Sequence, residues 1–150
     1  MVRVLIRSPE AEPLRRMLRD LASRILSDLG RAEAELSILV TDDGQVRSLN
    51  RQYRGKDSAT DVLSFSQSEG EGPQGPHDLL GDVVISWDSA VRQSEQYGHG
   101  VRAEVARLMV HGILHLLGYD HEDEAESSGE MRALEERYAR RRRRKPAGGV

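Results

Sequence analysis

Residues 111–121 read HGILHLLGYDH and place three of the chain's five histidines in the pattern H-x-x-x-H-x-x-G-x-x-H. Two histidines four positions apart lie on the same face of a helix, about one turn apart along its axis. Gly118 can end that helix through a left-handed backbone conformation, so that the chain turns back and His121 approaches the first two histidines. The spacing therefore predicts a metal site on a helix and the turn that follows it.

The candidate metal ligands are His111, His115 and His121. A histidine pair alone is more often a pair of ordinary surface or core residues, but the glycine and the third histidine reverse that balance. The chain contains no cysteine, so a metal would bind His, Asp, Glu or water. Three imidazoles and one open position are the arrangement of a catalytic zinc site, whereas a structural site is closed by a fourth protein ligand.

Gly112 occupies the position at which a zinc protease with this pattern carries its catalytic glutamate. Glycine has no side chain that can act as a general base, so we do not expect peptidase activity by that route. Zinc itself can lower the pKa of bound water to about 7. Hydrolysis of another class of substrate therefore stays open, if another group positions that substrate.

The composition is typical of one globular domain. The 150 residues are 37% hydrophobic and 31% charged, which is enough to form a single core. No apolar run has membrane-spanning length and the N-terminus lacks a signal-peptide pattern, so we expect a cytoplasmic protein without membrane contact. We predict one domain over residues 1–139 and a basic, disordered tail over residues 140–150, in which six cations follow one another.

Charge is distributed unevenly along the chain, although the net charge is only −3. Residues 1–60 carry 11 Lys or Arg and 9 Asp or Glu, whereas residues 61–139 carry 5 and 16. An acidic half repels nucleic acid unless a metal, the basic half or the tail offsets it. Overall charge is thus weak evidence against a nucleic-acid partner, and the tail either solubilises the chain or adds salt-dependent RNA affinity.

The hydrophobic periodicity predicts an α/β domain (of α+β character) with a mixed four-stranded sheet and packed helices. We predict strands at residues 2–6, 34–40, 59–66 and 79–86, and helices at about 14–29, 42–53, 87–97, 101–117 and 122–139. The Gly- and Pro-rich residues 69–78 are expected to form a loop. In the last helix, Met131, Leu134 and Tyr138 are expected to face inward.

Several segments together resemble the YbeY family of bacterial rRNA maturation factors. They are 49-LNRQYRGKDSATDVLSFS-66, 80-LGDVVIS-86, 97-YGHG-100, 104-EVARLMVHGILHLLGYDHE-122, and Met131 followed by Glu135, which together span roughly residues 40–136. The family usually has proline at the positions of Ala59 and Ser66. These departures affect the backbone around the third strand and leave the candidate ligands in place.

The resemblance implies a zincin-like fold and one Zn²⁺ per chain held by His111, His115 and His121. It implies a zinc-dependent, single-strand-specific endoribonuclease that acts in 16S rRNA 3′-end maturation and ribosome quality control. The implied partners are single-stranded RNA, rRNA, the small ribosomal subunit and its assembly factors.

The same resemblance implies that Arg54, in YRGKD, is the functional arginine. We expect Arg54 and His111 to be catalytic. A guanidinium can bind two phosphate oxygens and stabilise the negative charge that develops during phosphodiester cleavage. Lys56 is expected to contact a nearby phosphate. Without the resemblance, an ordinary solvated or salt-bridged arginine would be the better interpretation of Arg54.

Two other functions stay open: a metal-dependent hydrolase of another substrate class, and a ribosome-assembly factor that acts mainly by binding and is stabilised by zinc. The residues Asp57, Thr60 and Asp61 are expected to cap and turn the chain before the third strand. Asp120 is either a partner of a ligand or a loop residue. His99 is expected in a loop, and a role facing the site stays open for it. The sequence does not indicate an oligomeric state.

Overall fold

A computed structural model of the chain describes residues 1–67, 78–119 and 125–139. Its strands are β1 (Val2–Ile6), β2 (Ala34–Thr41), β3 (Val62–Ser66) and β4 (Asp78–Ser86), and its α-helices are α1 (Arg15–Asp28), α2 (Asp43–Arg54), α3 (Trp87–Tyr97), α4 (Val101–Leu116) and α5 (Ala125–Ala139). A short 3₁₀-helix, Pro9–Leu14, precedes α1. The predicted tail, residues 140–150, lies outside the described residues.

The predicted mixed four-stranded sheet is confirmed, with strand order β1-β2-β4-β3. The pairs β1–β2 and β2–β4 are parallel, whereas β3 pairs antiparallel with β4 at one edge. Parallel neighbours need a crossover connection. α1 provides the crossover from β1 to β2, and the chain passes through α2 and β3 between β2 and β4.

The predicted third strand is wrong at its beginning, because the strand starts at Val62 and not at residue 59. Val62 is paired with Ile85, and the amide of Ser86 still donates to the carbonyl of Asp61 over 2.8 Å. After Ser86 the neighbouring strand β4 ends and α3 begins, so β4 offers residues 59 and 60 no partners. The other elements lie within a few residues of the predicted boundaries.

One face of the sheet carries the main core. Val4, Ile38 and Val83 form one cross-strand row on this face and are almost fully buried. The helices α1 and α4 cover these residues, and α5 packs on α4. Of the predicted inward residues of α5, Met131 is fully buried, Tyr138 is buried and Leu134 is half-buried.

The opposite face is covered only in part. Here Leu5, Leu39, Val84 and Leu63 form a cross-strand row. α2 packs Val46 and Leu49 over the β3–β4 end, where Val84 and Leu63 are buried. At the other end Leu5 is 49% exposed. The sheet therefore offers an open surface next to α2.

In the described residues, no helix is both long enough and apolar enough to span a membrane.

Candidate active site

The two described histidines of the predicted metal site lie side by side on α4. The Nε2 atoms of His111 and His115 are 3.1 Å apart, and their ring centroids are 4.5 Å apart. Two nitrogen ligands of a tetrahedral zinc ion, each about 2.0–2.1 Å from the metal, lie roughly 3.3 Å apart. The geometry of this pair therefore fits joint binding of one zinc ion through the Nε2 atoms.

Glu135 of α5 contacts the other nitrogen of the His111 ring. Its Oε2 lies 2.9 Å from Nδ1 of His111, and both side chains are mostly buried. A carboxylate at this position favours a proton on Nδ1, which leaves the Nε2 lone pair available to a metal ion. The sequence predicted no role for Glu135. The available signal was an acidic residue one turn after the inward-facing Met131.

The turn after α4 has the predicted form. The amide of Gly118 donates to the carbonyl of His115, the amide of Tyr119 donates to the carbonyl of Leu114, both over 3.0 Å, and Gly118 has φ +100°. This hydrogen-bond pair is the Schellman ending of a helix, which is usually made by glycine. The prediction that the helix ends through Gly118 in a left-handed conformation is thus confirmed, and the return of the chain toward the histidines stays a prediction.

His121 and Asp120 lie outside the described residues, so the third predicted ligand stays a prediction. In the part of the chain that the structure describes, no group of three or more His, Asp or Glu side chains could hold a metal ion. The histidine pair supplies two nitrogens, and a third ligand would have to come from elsewhere.

Gly112 is packed tightly against the sheet. A Cβ atom at this position would lie 2.7 Å from Cγ1 of Val83 and 3.1 Å from Oγ of Ser64. Val83 is fully buried and β-branched, so it has little freedom to move aside. Residue 112 therefore faces the β3–β4 strands, and a glutamate there would displace them. Tight packing thus explains why residue 112 is a glycine, and the glycine in turn cannot act as the general base of a protease.

Arg54 is the last residue of α2 and is exposed. Its Nη2 donates to the backbone carbonyl of Ser64 over 2.5 Å. The hydroxyl of Ser64 in turn donates to the carbonyl of Gly112 over 3.0 Å. β3 thus links Arg54 to the part of α4 that carries His111, although the two residues are far apart in the sequence. Ser64 was not predicted from the sequence, because no local pattern marks a strand serine as a bridge between a helix and an arginine.

Arg54, His111 and His115 line one open cleft of about 1510 Å³. The cleft extends over the open face of the sheet, and Arg3 of β1 and Lys56 add two further cations to it. The residues predicted to act on a phosphodiester therefore share a groove that is large enough for a polymer strand.

Two residues before β3, Asp57 and Asp61, contact side chains of the neighbouring helices α2 and α3. Asp57 forms an ion pair with Arg47 at 2.7 Å, and the hydrogen bond from Arg47 lowers the pKa of Asp57. Asp61 accepts a hydrogen bond from Gln93 of α3 over 3.2 Å. Thr60 and Asp61 also line the cleft, whereas Asp57 does not.

His99 is in the loop between α3 and α4, as predicted, but its side chain is 7% exposed and does not line the cleft. Its Nε2 lies 2.7 Å from Oε1 of Glu104, a fully buried carboxylate that also accepts a hydrogen bond from Arg107 over 2.9 Å. This network ties the loop to the first turns of α4.

A family model described as Endoribonuclease YbeY matches residues 7–143 of the chain. The Endoribonuclease YbeY of Anaeromyxobacter sp. (strain Fw109-5) is 52% identical over 126 residues, which cover 84% of this chain and 64% of that protein. The chain thus spans slightly less than two thirds of that relative. The Endoribonuclease YbeY of Aquifex aeolicus (strain VF5) is 47% identical over 133 residues, covering 89% and 87%.

A solved structure is also similar to the chain. The solution structure of TM1509 from Thermotoga maritima has a TM-score of 0.65 and 25% sequence identity, and the match covers 93% of this chain and 87% of that one. The similarity therefore extends over almost the whole chain.

Proposed function

Because the chain belongs to the Endoribonuclease YbeY family, we propose that it is a zinc-dependent endoribonuclease that hydrolyses single-stranded RNA in the cytoplasm. The observation that carries the proposal is the shared cleft, which Arg54 lines together with His111 and His115. In phosphodiester hydrolysis a guanidinium stabilises the developing negative charge, and a pair of histidine nitrogens can hold a catalytic metal ion.

In this proposal one zinc ion per chain is held by His111, His115 and His121, in a zincin-like arrangement. The 3.1 Å separation of the two Nε2 atoms and the carboxylate of Glu135 on His111 support it. When bound, zinc would supply a Lewis acid for activating water or polarising a phosphoryl oxygen. Glu135 holds the ring of His111 in the orientation that binding requires.

Arg54 would bind the phosphate at which the RNA is cut. Its guanidinium now donates to a neutral carbonyl, that of Ser64, and a phosphate is a stronger acceptor that can take two hydrogen bonds at once. Hydrolysis forms a bond from water oxygen to phosphorus and breaks the bond to the leaving ribose oxygen, which takes up a proton. The guanidinium stabilises the charge that the non-bridging oxygens gain. Lys56 would attract a neighbouring phosphate.

We further propose that the RNA is ribosomal, and that the protein acts in 16S rRNA 3′-end maturation and ribosome quality control. The small ribosomal subunit and its assembly factors would then be the partners. The YbeY-type segments of the sequence support this assignment, as do relatives named as endoribonucleases.

The first test separates the metal from the arginine. Purified protein should contain about one zinc per chain. His111→Ala should lose both zinc and cleavage of single-stranded RNA. Arg54→Ala should keep the zinc and lose roughly 10²–10³-fold in cleavage rate, whereas Arg19→Ala, an exposed arginine of α1, should change neither.

Cleavage that persists in both variants would indicate a contaminating nuclease. If Arg54→Ala restored 16S rRNA 3′ ends in cells that lack the protein, the arginine would not be catalytic, and the role as a binding factor would be favoured.

A second test concerns Glu135. Glu135→Gln removes the carboxylate from His111 and should weaken zinc binding by about 10–100-fold, as measured with a competing chelator. Glu136→Gln is the matched control, because Glu136 is the next residue of α5 and is exposed. Equal zinc affinity of the two variants would contradict a role of Glu135 in orienting His111.

A further inference from the structure

Tyr53 exposes its aromatic ring in the cleft. It is 63% exposed, the second most exposed of the large hydrophobic side chains after Met1 in the described residues. Its ring meets Phe65 of β3 edge-on, with centroids 5.5 Å apart and planes at 63°. Tyr53, Phe65 and Arg54 all line the cleft that also contains His111 and His115.

Phe65 is the anchor of this group. It is half-buried and packs on the smaller core cluster of Val46, Leu63 and Val84. The guanidinium carbon of Arg54 lies 5.6 Å from its ring centroid. Consecutive helix residues point about 100° apart, yet Tyr53 and Arg54 both reach this one ring. The side chain of Phe65 therefore sets the position of an exposed aromatic ring and a cation relative to each other.

Packing alone does not explain the exposed ring. A tyrosine that only stabilised the end of α2 would gain more by burying its ring, because burial of aromatic surface is favourable. Tyr53 instead keeps most of its surface open, beside a cation and within a groove. An aromatic face next to a phosphate-binding cation is the pattern by which proteins hold single-stranded nucleic acids.

We propose that Tyr53 stacks against an unpaired base of the RNA strand while Arg54 holds a phosphate of the same strand. The inference rests on the proposed function for its substrate class, and it makes Tyr53 a positioning residue. Every base has a π-face, so the contact tolerates different sequences. In a duplex both faces of a base are already stacked, so the contact selects single strands.

The first experiment detects the stacking directly. Tyr53→Trp places an indole in the cleft of a chain whose one native tryptophan is Trp87. Its fluorescence should be quenched by a single-stranded RNA oligonucleotide. Quenching should be absent with a strand of the same length that lacks its bases, with the duplex form, and in the wild-type protein. No quenching by the single strand, or equal quenching by the abasic strand, overturns the proposal.

The second experiment measures the contribution to affinity. Tyr53→Leu should raise the Kd and KM for single-stranded RNA by roughly tenfold and change kcat by less than about threefold, whereas Tyr53→Phe should behave like the wild type. Tyr97→Leu is the matched control. Tyr97 also ends a helix before a glycine C-cap and is 40% exposed, but it does not line the cleft.

The results separate this inference from the proposed function. Unchanged Kd in Tyr53→Leu, or a fall in kcat alone, overturns the stacking contact and leaves the endoribonuclease intact. Base-dependent quenching together with weaker binding by Tyr53→Leu, in a protein that cleaves no RNA, supports the contact and overturns the proposed activity.

Discussion

Gly112 shows how a single residue can combine a packing requirement with a limit on chemistry. The contact of α4 with β4 leaves no space for a side chain at this position, since a Cβ atom would approach Val83 to 2.7 Å. The carbonyl of Gly112 also receives the Ser64 hydroxyl. The position next to His111 is therefore used for the attachment of the helix to the sheet, and under the proposed function catalytic help would come from Arg54 of α2.

Gly112→Ala should lower the free energy of unfolding by roughly 1–2 kcal/mol. The steric cost of an added methyl group in a packed core exceeds the helix propensity that alanine gains. Gly129→Ala in α5 is the control. Nothing lies within 4 Å of the Cβ at that position, so it should stabilise the protein by about 0.5–1 kcal/mol. Urea denaturation of both variants measures the difference. Equal stability of Gly112→Ala and the wild type would contradict the tight contact.

The positions of site residues were predictable from the sequence where they depend on neighbours along the chain. The spacing of His111 and His115 follows from helical periodicity, and the turn at Gly118 follows from the backbone freedom of glycine. Ser64 and Glu135 were not assigned roles, because their contacts with Gly112 and His111 connect residues 48 and 24 positions apart. Such contacts depend on how the helices and strands pack.

At the scale of elements, Asp43 joins the start of α2 to α3. Its Oδ1 accepts hydrogen bonds from the hydroxyls of Ser86 and Ser89, over 2.5 and 3.1 Å, and its Oδ2 pairs with Arg92 at 3.0 Å. The amide of Asp43 in turn donates to Oδ2 of Asp88 over 2.9 Å. An aspartate in the first turn of each helix thus contacts the other helix. These contacts hold the start of α2 against the start of α3.

The pKa of Asp43 makes this junction sensitive to acid. Partial burial raises the pKa, but the hydrogen bonds from Ser86, Arg92 and Ser89 lower it by more, so it lies below the ordinary value of 3.8. A carboxylate with a lowered pKa stabilises the folded state above its unfolded pKa, and that stabilisation is lost as the pH falls through the folded pKa.

Asp43→Asn should therefore cost about 1 kcal/mol of stability at pH 7, and the difference from the wild type should disappear as the pH falls below about 4. Thermal unfolding from about pH 2.5 to about pH 7 measures it, because that range begins below the ordinary pKa of an aspartate and ends well above it. Asp20→Asn is the control, because the side chain of this aspartate of α1 is 71% exposed and its ion pair with Arg16 is long, at 3.9 Å. A difference that does not vary with pH would exclude the charge of Asp43 as its cause.

Most elements were predictable in type, because apolar residues recur with helical or strand periods and caps mark the ends. Asp42 caps α2, for example, because its side chain accepts a hydrogen bond from the amide of Gln45 over 2.8 Å. The start of β3 was not predictable. It depends on where the neighbouring strand turns into α3, and residues 59–61 carry no local signal of that event.

At the scale of the whole molecule, the distribution of charge matters more than its sum. The net charge of −3 opposes RNA binding, yet the cleft contains the cations Arg3, Arg54 and Lys56. Arg3 shares a cross-strand row with Ser37, Asp82 and Phe65 on the open face of the sheet. The cations therefore lie on two sides of the cleft, Arg54 at the end of α2 and Arg3 on β1, with Asp82 of β4 between them in the row.

Binding of single-stranded RNA should weaken with salt accordingly. Each phosphate that a cation neutralises contributes about −0.7 to the slope of log K against log salt concentration. Arg3→Ala and Lys56→Ala should each make the slope shallower by about that amount, whereas Arg19→Ala on α1 should leave it unchanged. Fluorescence anisotropy from about 50 to 200 mM salt measures it. An unchanged slope in Arg3→Ala would exclude β1 from the RNA path.

The order of the strands was the least predictable feature. The hydrophobic periodicity predicts a mixed four-stranded sheet but no strand order, and the insertion of β4 between β2 and β3 pairs residues that are distant in the chain. Leu36 is paired with Gly81, for example, across a register shift. The meeting of Arg54 and the histidines in one cleft follows from this arrangement, and only family resemblance associated them beforehand.

The bridge through Ser64 has a consequence for the newly made protein. Synthesis proceeds from the N-terminus, so Arg54 and Ser64 are made well before Gly112 and His111, and Glu135 follows later still. Arg54 therefore has its partner Ser64 early, but Ser64 lacks Gly112 and His111 lacks Glu135 until α4 and α5 have been translated. Under the proposed function, the site would stay incomplete in a nascent chain on the ribosome until its last helix has been made.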